Sequence, residues 1–133
     1  MKYLFHHWEE LEKEIVHKHI LLLLDYDGTL APIAETPNQA VIPKDTKELL
    51  RKLSKTHHCA LCIISGRSLQ DIKNAVRLKD IIYAGNHGLE IEGPKIKFES
   101  QVSPRIKSIM RGIAEELIKC LSGIRGVLIE DKG

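Results

Sequence analysis

No apolar run in this 133-residue chain is longer than Ile20 to Leu24, whereas a membrane-spanning helix needs roughly 20 such residues. A helical span is therefore not expected. The amino-terminal stretch is polar and acidic, without the basic-then-apolar order of a signal peptide, so the reading is a cytoplasmic protein. Charge of one sign is equally scarce. A formal net charge of +2 with both signs mixed along the length leaves no basic face or tail for a phosphate backbone, so nucleic acid is not an expected partner. Cysteine is sparse too: three residues, an odd number, in a chain large enough to fold without staples, argue against a disulfide framework. Cys59 and Cys62 form a lone CxxC, "CALC". A zinc site would need a second ligand pair and a redox motif a helix N-terminus, while a strand here sends the two side chains to opposite faces. The chain also lacks internal repeats and low-complexity segments.

What is present is 43% hydrophobic residues, enough for one domain with its own core. Leu4, Trp8, Leu11 and Ile15 recur at helical spacing, which predicts an amphipathic helix with Trp8 in the core. Ile20 to Leu24 reads as a buried strand. Pro32, Pro37 and Pro43 punctuate a loop, and a helix is expected from about Lys44 to Lys55 with Leu49, Leu50 and Leu53 on one face. "ALCII" is a second buried strand, ending in "SGRS". Ser68 with Asp71 has the spacing of a capping box, opening a helix with Leu69, Ile72 and Val76 on its inner face. "IIYA" is a third strand. The order β-α-β-α-β, with strands apolar on both faces, predicts an α/β fold with a parallel sheet flanked by helices.

Beyond this, "LEIEGPKIKF" alternates apolar and charged residues across Gly93-Pro94, the pattern of a hairpin appended to the sheet. Ser103-Pro104 starts a helix whose stripe is Ile106, Ile109, Met110, Ile113, Leu117 and Leu121. A last strand is expected over about Ile124 to Glu130.

Ligands in parallel α/β sheets bind beyond the carboxyl ends of the strands. Three polar clusters fall there: "DYDGT", "SGR" and "GNHG". Asp25 and Asp27 at one strand end repel each other unless something stabilises them, and a divalent metal would do so. Asp25 can hold a hard cation or act as a carboxylate nucleophile, and Asp27 can give or take a proton. Gly28 permits a tight turn that lets amides approach an anion, and Ser65 with the amides that follow it at a helix N-terminus adds donors for a phosphoryl group. The alternative is plain: Asp-Gly often ends a strand and begins a turn.

The full strings resemble a family. "LLLLDYDGTLAPI" looks like motif one of the haloacid dehalogenase (HAD) superfamily and "IISGR" like motif two. The set "DYDGTLAPI", "SGRSLQDI", "YAGNHGLEI" and "GVLIEDKG" is similar to the trehalose-6-phosphate phosphatases over about Ile20 to Gly133. The resemblance implies a Rossmann-like core, partial over residues 1–122, with residues 123–133 beginning an α/β cap. It implies a magnesium-dependent phosphatase converting trehalose 6-phosphate to trehalose. Asp25 would be nucleophile and metal ligand. Asp27 would be the acid and base, with its carbonyl on the metal. Gly28, Thr29, Ser65 and Gly66 would hold phosphate. Arg67, Asn86 and His87 match polar positions at the family's active-site mouth, and Glu130 and Lys132 match a cap pattern that contacts the sugar. The other histidines, His6, His7, His17, His19, His57 and His58, show no ligand spacing.

The family's stabilising lysine and its acidic metal motif lie further along than Gly133. Its first strand is central, so Ile20 to Leu24 is expected here as an open edge, inviting self-association or a complementary C-terminal fragment. Three readings follow: the N-terminal part of a sugar-phosphate phosphatase, inactive alone; a non-catalytic HAD-like subunit or truncated product that binds a partner through the edge; and a phosphatase for a different sugar phosphate.

Overall fold

The computed structural model describes residues 3–127 and 129. The chain divides into two compact units, Met1–Phe98 and Glu99–Gly133. The first begins with a 3-10 turn, Leu4–His7, and helix α1, Trp8–Ile15. Strand β1 (Ile20–Asp25), helix α2 (Lys44–Leu53), strand β2 (Cys59–Ile64), helix α3 (Leu69–Val76) and strand β3 (Ile82–Gly85) then alternate as expected. A hairpin of β4 (Glu90–Gly93) and β5 (Ile96–Glu99) reaches the junction with the second unit, whose helix α4 is Pro104–Leu121.

The described strands form one sheet in the order β1-β2-β3-β4-β5. β1 runs parallel to β2 from Ile20↔Cys59 to Asp25↔Ile64, and β2 runs parallel to β3 from Cys62↔Ile82 to Ile64↔Ala84. β4 is antiparallel to β3. Both crossovers advance in the same direction across the sheet, so their right-handedness places α2 and α3 on one face. That face carries the core. Leu61, Ile63 and Tyr83 meet Leu50 of α2 and Ile72 and Val76 of α3. Ile63, Ile72 and Val76 have 0% of their surface exposed; burial of side chains of this size contributes about 1.5–3 kcal/mol each. Tyr26 is also fully buried and donates its hydroxyl to the Ala40 carbonyl at 2.7 Å, tying the long loop after β1 to the core.

Several expectations need correction. β1 is not buried on both faces: Leu22 and Leu24 pack against the core, while Leu21 and Leu23 are 55% and 57% exposed. With both crossover helices on one side, alternate residues of this outer strand point to a face that α2 and α3 do not cover. β2, the inner strand, does bury Leu61, Cys62 and Ile63 on both faces. Leu49 is exposed, because it sits about 100° round the helix from the buried Leu50. Trp8 is exposed as well, and α1 contains no buried residue. In the second unit, Ser103 caps α4 by accepting from the Ile106 amide at 3.4 Å with Pro104 in the first turn, yet none of the helix's apolar stripe is buried. Residues Ile124 to Val127 form a turn, closed by Val127 N–H on the Ile124 carbonyl, where the last strand was expected to begin. Leu128 and Glu130, in the rest of that strand, lie outside the described residues.

The CxxC behaves as two unrelated thiols. Cys59 packs against the core and Cys62 is buried, where burial pushes its thiol pKa up, the opposite of a reactive cysteine.

Candidate active site

Strand register brings the three polar clusters to one end of the sheet. Asp25 pairs with Ile64, and Ile64 with Ala84, so Asp25, Ser65 and Gly85-Asn86 leave neighbouring strands at the same level, with about 4.8 Å between strands. Asp25 is exposed and accepts a hydrogen bond from the Thr29 hydroxyl at 3.3 Å. The intervening turn is closed by Leu30 and Ala31 amides on the Tyr26 carbonyl and by the Gly28 amide on the Ala31 carbonyl. Gly28 has φ +82°, and a Cβ there would also press on Ile33 at 3.3 Å. A side chain is therefore disfavoured twice over at this position.

The turn aims Asp27 across to the second cluster. Arg67 donates to it through Nε at 2.9 Å and Nη2 at 2.6 Å. The Arg67 side chain is only 12% exposed and its guanidinium lies 4.8 Å above the Tyr26 ring. The hydrogen bond to Asp27 raises the Arg67 pKa, and burial alone would lower it. The fork occupies both carboxyl oxygens of Asp27. A cleft of about 500 Å³ opens beside Arg67, lined also by Tyr26, Asn38, Lys47, Asp71 and Arg77; Asp25 is not part of its lining.

Ser65, 3% exposed, accepts from the Arg67 amide at 3.1 Å and itself donates its amide to the Ala84 carbonyl. The Ser65 carbonyl receives the His87 amide at 3.2 Å, and the Arg67 carbonyl receives the Asn86 amide at 2.7 Å. The second and third clusters are thus one bonded unit. Asn86 and His87 both adopt left-handed backbone, φ 48° and 56°, conformations that Asn and His tolerate better than most residues. A Cβ on Gly66 would lie 2.7 Å from His87 Cε1, so the missing side chain is what lets the imidazole lie over this turn.

Sequence reasoning missed Glu90. Its Oε2 accepts from Asn86 Nδ2 at 2.6 Å and from the Leu69 amide at 3.2 Å, strapping the third loop to the first turn of α3. The signal was available only as one acid in the alternating "LEIEG". Ser68 caps the same helix as expected, accepting from the Asp71 amide at 3.2 Å. Asp25, Asp27, Gly28, Thr29, Ser65, Gly66, Arg67, Asn86 and His87 therefore share one end of the sheet, while Glu130 and Lys132 lie outside the described residues.

The exposed Asp25 carboxylate offers two oxygen donors to a metal. They suit a hard divalent cation that keeps several waters. Among the described residues no group of three or more His, Cys, Asp or Glu side chains forms a metal cage.

This arrangement has relatives. Residues 23–133 match the trehalose-phosphatase family. A probable trehalose-phosphate phosphatase H of Arabidopsis thaliana is 35% identical over 127 residues, covering 91% of this chain and 36% of that protein. The chain spans a little over a third of the length of the curated relatives it matches first. A solved trehalose-6-phosphate phosphatase related protein superposes with a TM-score of 0.70 at 27% identity, over 85% of this chain and 48% of that one. A haloacid dehalogenase-like hydrolase from B. subtilis, at 18% identity and a TM-score of 0.52 over 72% of this chain and 33% of its own, shares the fold. With the family match running through the two aspartates, the Ser-Gly-Arg turn and the third loop, the chain belongs to the trehalose-phosphatase family.

Proposed function

We propose that this chain is the N-terminal part of a magnesium-dependent, cytoplasmic sugar-phosphate phosphatase that acts on trehalose 6-phosphate through an aspartyl-phosphate intermediate. Residues 1–122 are its partial core and residues 123–133 begin its cap. The observation that carries the reading is the exposed Asp25 carboxylate at the end of β1, two residues before an Asp27 gripped by the loop of the neighbouring strand.

In this reading an Asp25 oxygen attacks phosphorus in line with the leaving sugar oxygen. The P–O bond to the sugar breaks, its electron pair stays on the sugar oxygen, and that oxygen takes a proton from Asp27. Asp27 next takes a proton from a water whose oxygen attacks the phosphorus, releasing phosphate and freeing Asp25. Because Arg67 occupies both Asp27 oxygens, Asp27 must leave that fork when substrate arrives. Gly28, Thr29, Ser65 and Gly66 hold the phosphoryl group, and Arg67, Asn86 and His87 face the sugar; a sugar-contacting role for Glu130 and Lys132 rests on the resemblance to the family's cap pattern alone. Magnesium bound by Asp25 and the Asp27 carbonyl would neutralise the phosphoryl oxygens.

The second reading, a binding subunit without catalysis, is favoured by one observation: β1 pairs only with β2 among the described strands. The chain alone is expected to be inactive in both readings. The test combines it with a polypeptide spanning the remainder of a family member and screens sugar phosphates for phosphate release with magnesium. Release from trehalose 6-phosphate supports the first reading, and release from another sugar phosphate changes only the substrate. A defined complex with no release from any sugar phosphate leaves the binding subunit.

A further inference from the structure

At the opposite end of the sheet from Asp25, the parallel pairing of β1 and β2 brings together two histidines that are 39 residues apart. His19 immediately precedes β1 and His58 immediately precedes β2. The Ile20 amide donates to the His58 carbonyl at 2.8 Å, which sets both residues at the same level. His58 Nδ1 lies 3.1 Å from His19 Nε2, with the two rings nearly perpendicular at 83°. His57 stacks on His58 with ring centroids 5.0 Å apart. All three rings are exposed, and among the described residues neither His19 nor His58 bonds to a carboxylate.

The separation matters. Two imidazole nitrogens bound side by side to one transition-metal ion, at about 2.0–2.1 Å each, are about 2.9 Å apart at a right angle and about 3.4 Å apart at a tetrahedral angle. The observed 3.1 Å falls between these limits. In the neutral pair one ring donates and the other accepts. If the donor ring carries its proton on its other nitrogen instead, both lone pairs face the gap and no proton needs to be lost.

We propose that His19 and His58 form a binding site for a divalent transition-metal cation of the zinc, copper or nickel class, with water completing the coordination. Imidazole suits these metals, whereas magnesium prefers oxygen and does not compete. The site is at the far end of the strands from Asp25, so it is separate from the phosphatase reading and does not depend on it. Bound metal clamps the start of the outer strand β1 to β2, closing a loop of 39 residues, and so stabilises the folded chain.

The test is a zinc titration of the 133-residue chain, followed by calorimetry and by the thermal unfolding midpoint, with copper(II) electron paramagnetic resonance to count nitrogen ligands. One saturable site, a raised midpoint and at least two equatorial nitrogens are expected. His19→Ala and His58→Ala should each weaken zinc by at least the about 10–100-fold that loss of an outer-shell partner costs. The His6→Ala/His7→Ala pair should bind as the unaltered chain does. If either alanine variant fails to fold, the copper spectrum of the unaltered chain decides, and fewer than two nitrogens overturns the proposal. Undiminished zinc binding by His19→Ala or His58→Ala, displacement by magnesium, or loss of binding in the His6/His7 variant also overturns it.

Discussion

Arg67 and Asp27, 40 residues apart, are joined by two hydrogen bonds of 2.9 and 2.6 Å that link the end of β2 to the turn after β1. The guanidinium is nearly buried against Tyr26, while the Asp27 side chain is 45% exposed, so solvent screens part of the attraction. Arg67→Met is expected to lower the unfolding free energy by about 1 kcal/mol, the upper range for a partly exposed pair. Arg67→Lys should recover little of it, since a point charge cannot replace the fork. Urea unfolding at low and high salt checks this, the deficit of Arg67→Met shrinking as salt rises.

Two glycines near the site should respond differently to the same substitution. A Cβ on Gly85 would meet the backbone of Leu69 at 2.5 and 2.6 Å, where neither side can yield easily. Gly85→Ala is expected to cost about 1–3 kcal/mol by overpacking. A Cβ on Gly66 would meet only the end of the exposed His87 ring. That ring can swing aside, so Gly66→Ala should change stability by less than about 1 kcal/mol while displacing His87 from its place over the turn. Denaturant midpoints and the His87 ring resonances separate the two.

Lys73 of α3 reaches Glu92 of β4 at 2.6 Å, and its hydrogen bond and charge hold the Glu92 carboxyl below its ordinary pKa. Glu92 therefore prefers the charged form in the folded chain. The pair's stabilisation is present above the unfolded carboxyl pKa of 4.5 and is lost as pH falls through the lower folded value. Lys73→Met should flatten this acid-side loss and leave the slope near neutral pH unchanged. Unfolding midpoints measured across pH 3 to pH 7, with the conversion of Glu92 to Gln as a partner variant, provide the comparison.

The outer position of β1, with Leu21 and Leu23 exposed on one face, leaves an apolar strand without a second neighbour among the described residues. Such edges pair with other chains unless charge blocks them. The 133-residue chain is expected to self-associate with concentration in sedimentation experiments, and Leu21→Lys with Leu23→Lys should shift it towards monomer. A monodisperse monomer in the unaltered chain would count against this account of the edge.

Much of this arrangement is legible in the residues themselves. Aliphatic runs at Ile20 and Leu61, each followed by a polar cluster, specify parallel strands that deliver those clusters to one end. Ser68 and Asp71 mark the helix start at the correct position. What the sequence hides depends on which neighbour a side chain meets. The exposure of Leu21 and Leu23 follows from the shared side of both crossover helices, and that of Leu49 from a rotation about one helix axis. Arg67 reads as a residue of the family's active-site mouth until the turn through Gly28 brings Asp27 to it. Glu90 and the His19–His58 pair carry no spacing signal, because their partners come from strand register.

The central claim is that Asp25 is the nucleophile, and the most direct measurement is phosphate release from trehalose 6-phosphate with magnesium. The chain, combined with the remainder of a family member, is compared with the same complex carrying Asp25→Asn. The amide is nearly isosteric with the carboxylate but a poor nucleophile. The account predicts release by the unaltered complex, none by the variant, and equal unfolding midpoints. Release retained by the correctly folded Asp25→Asn complex would contradict it.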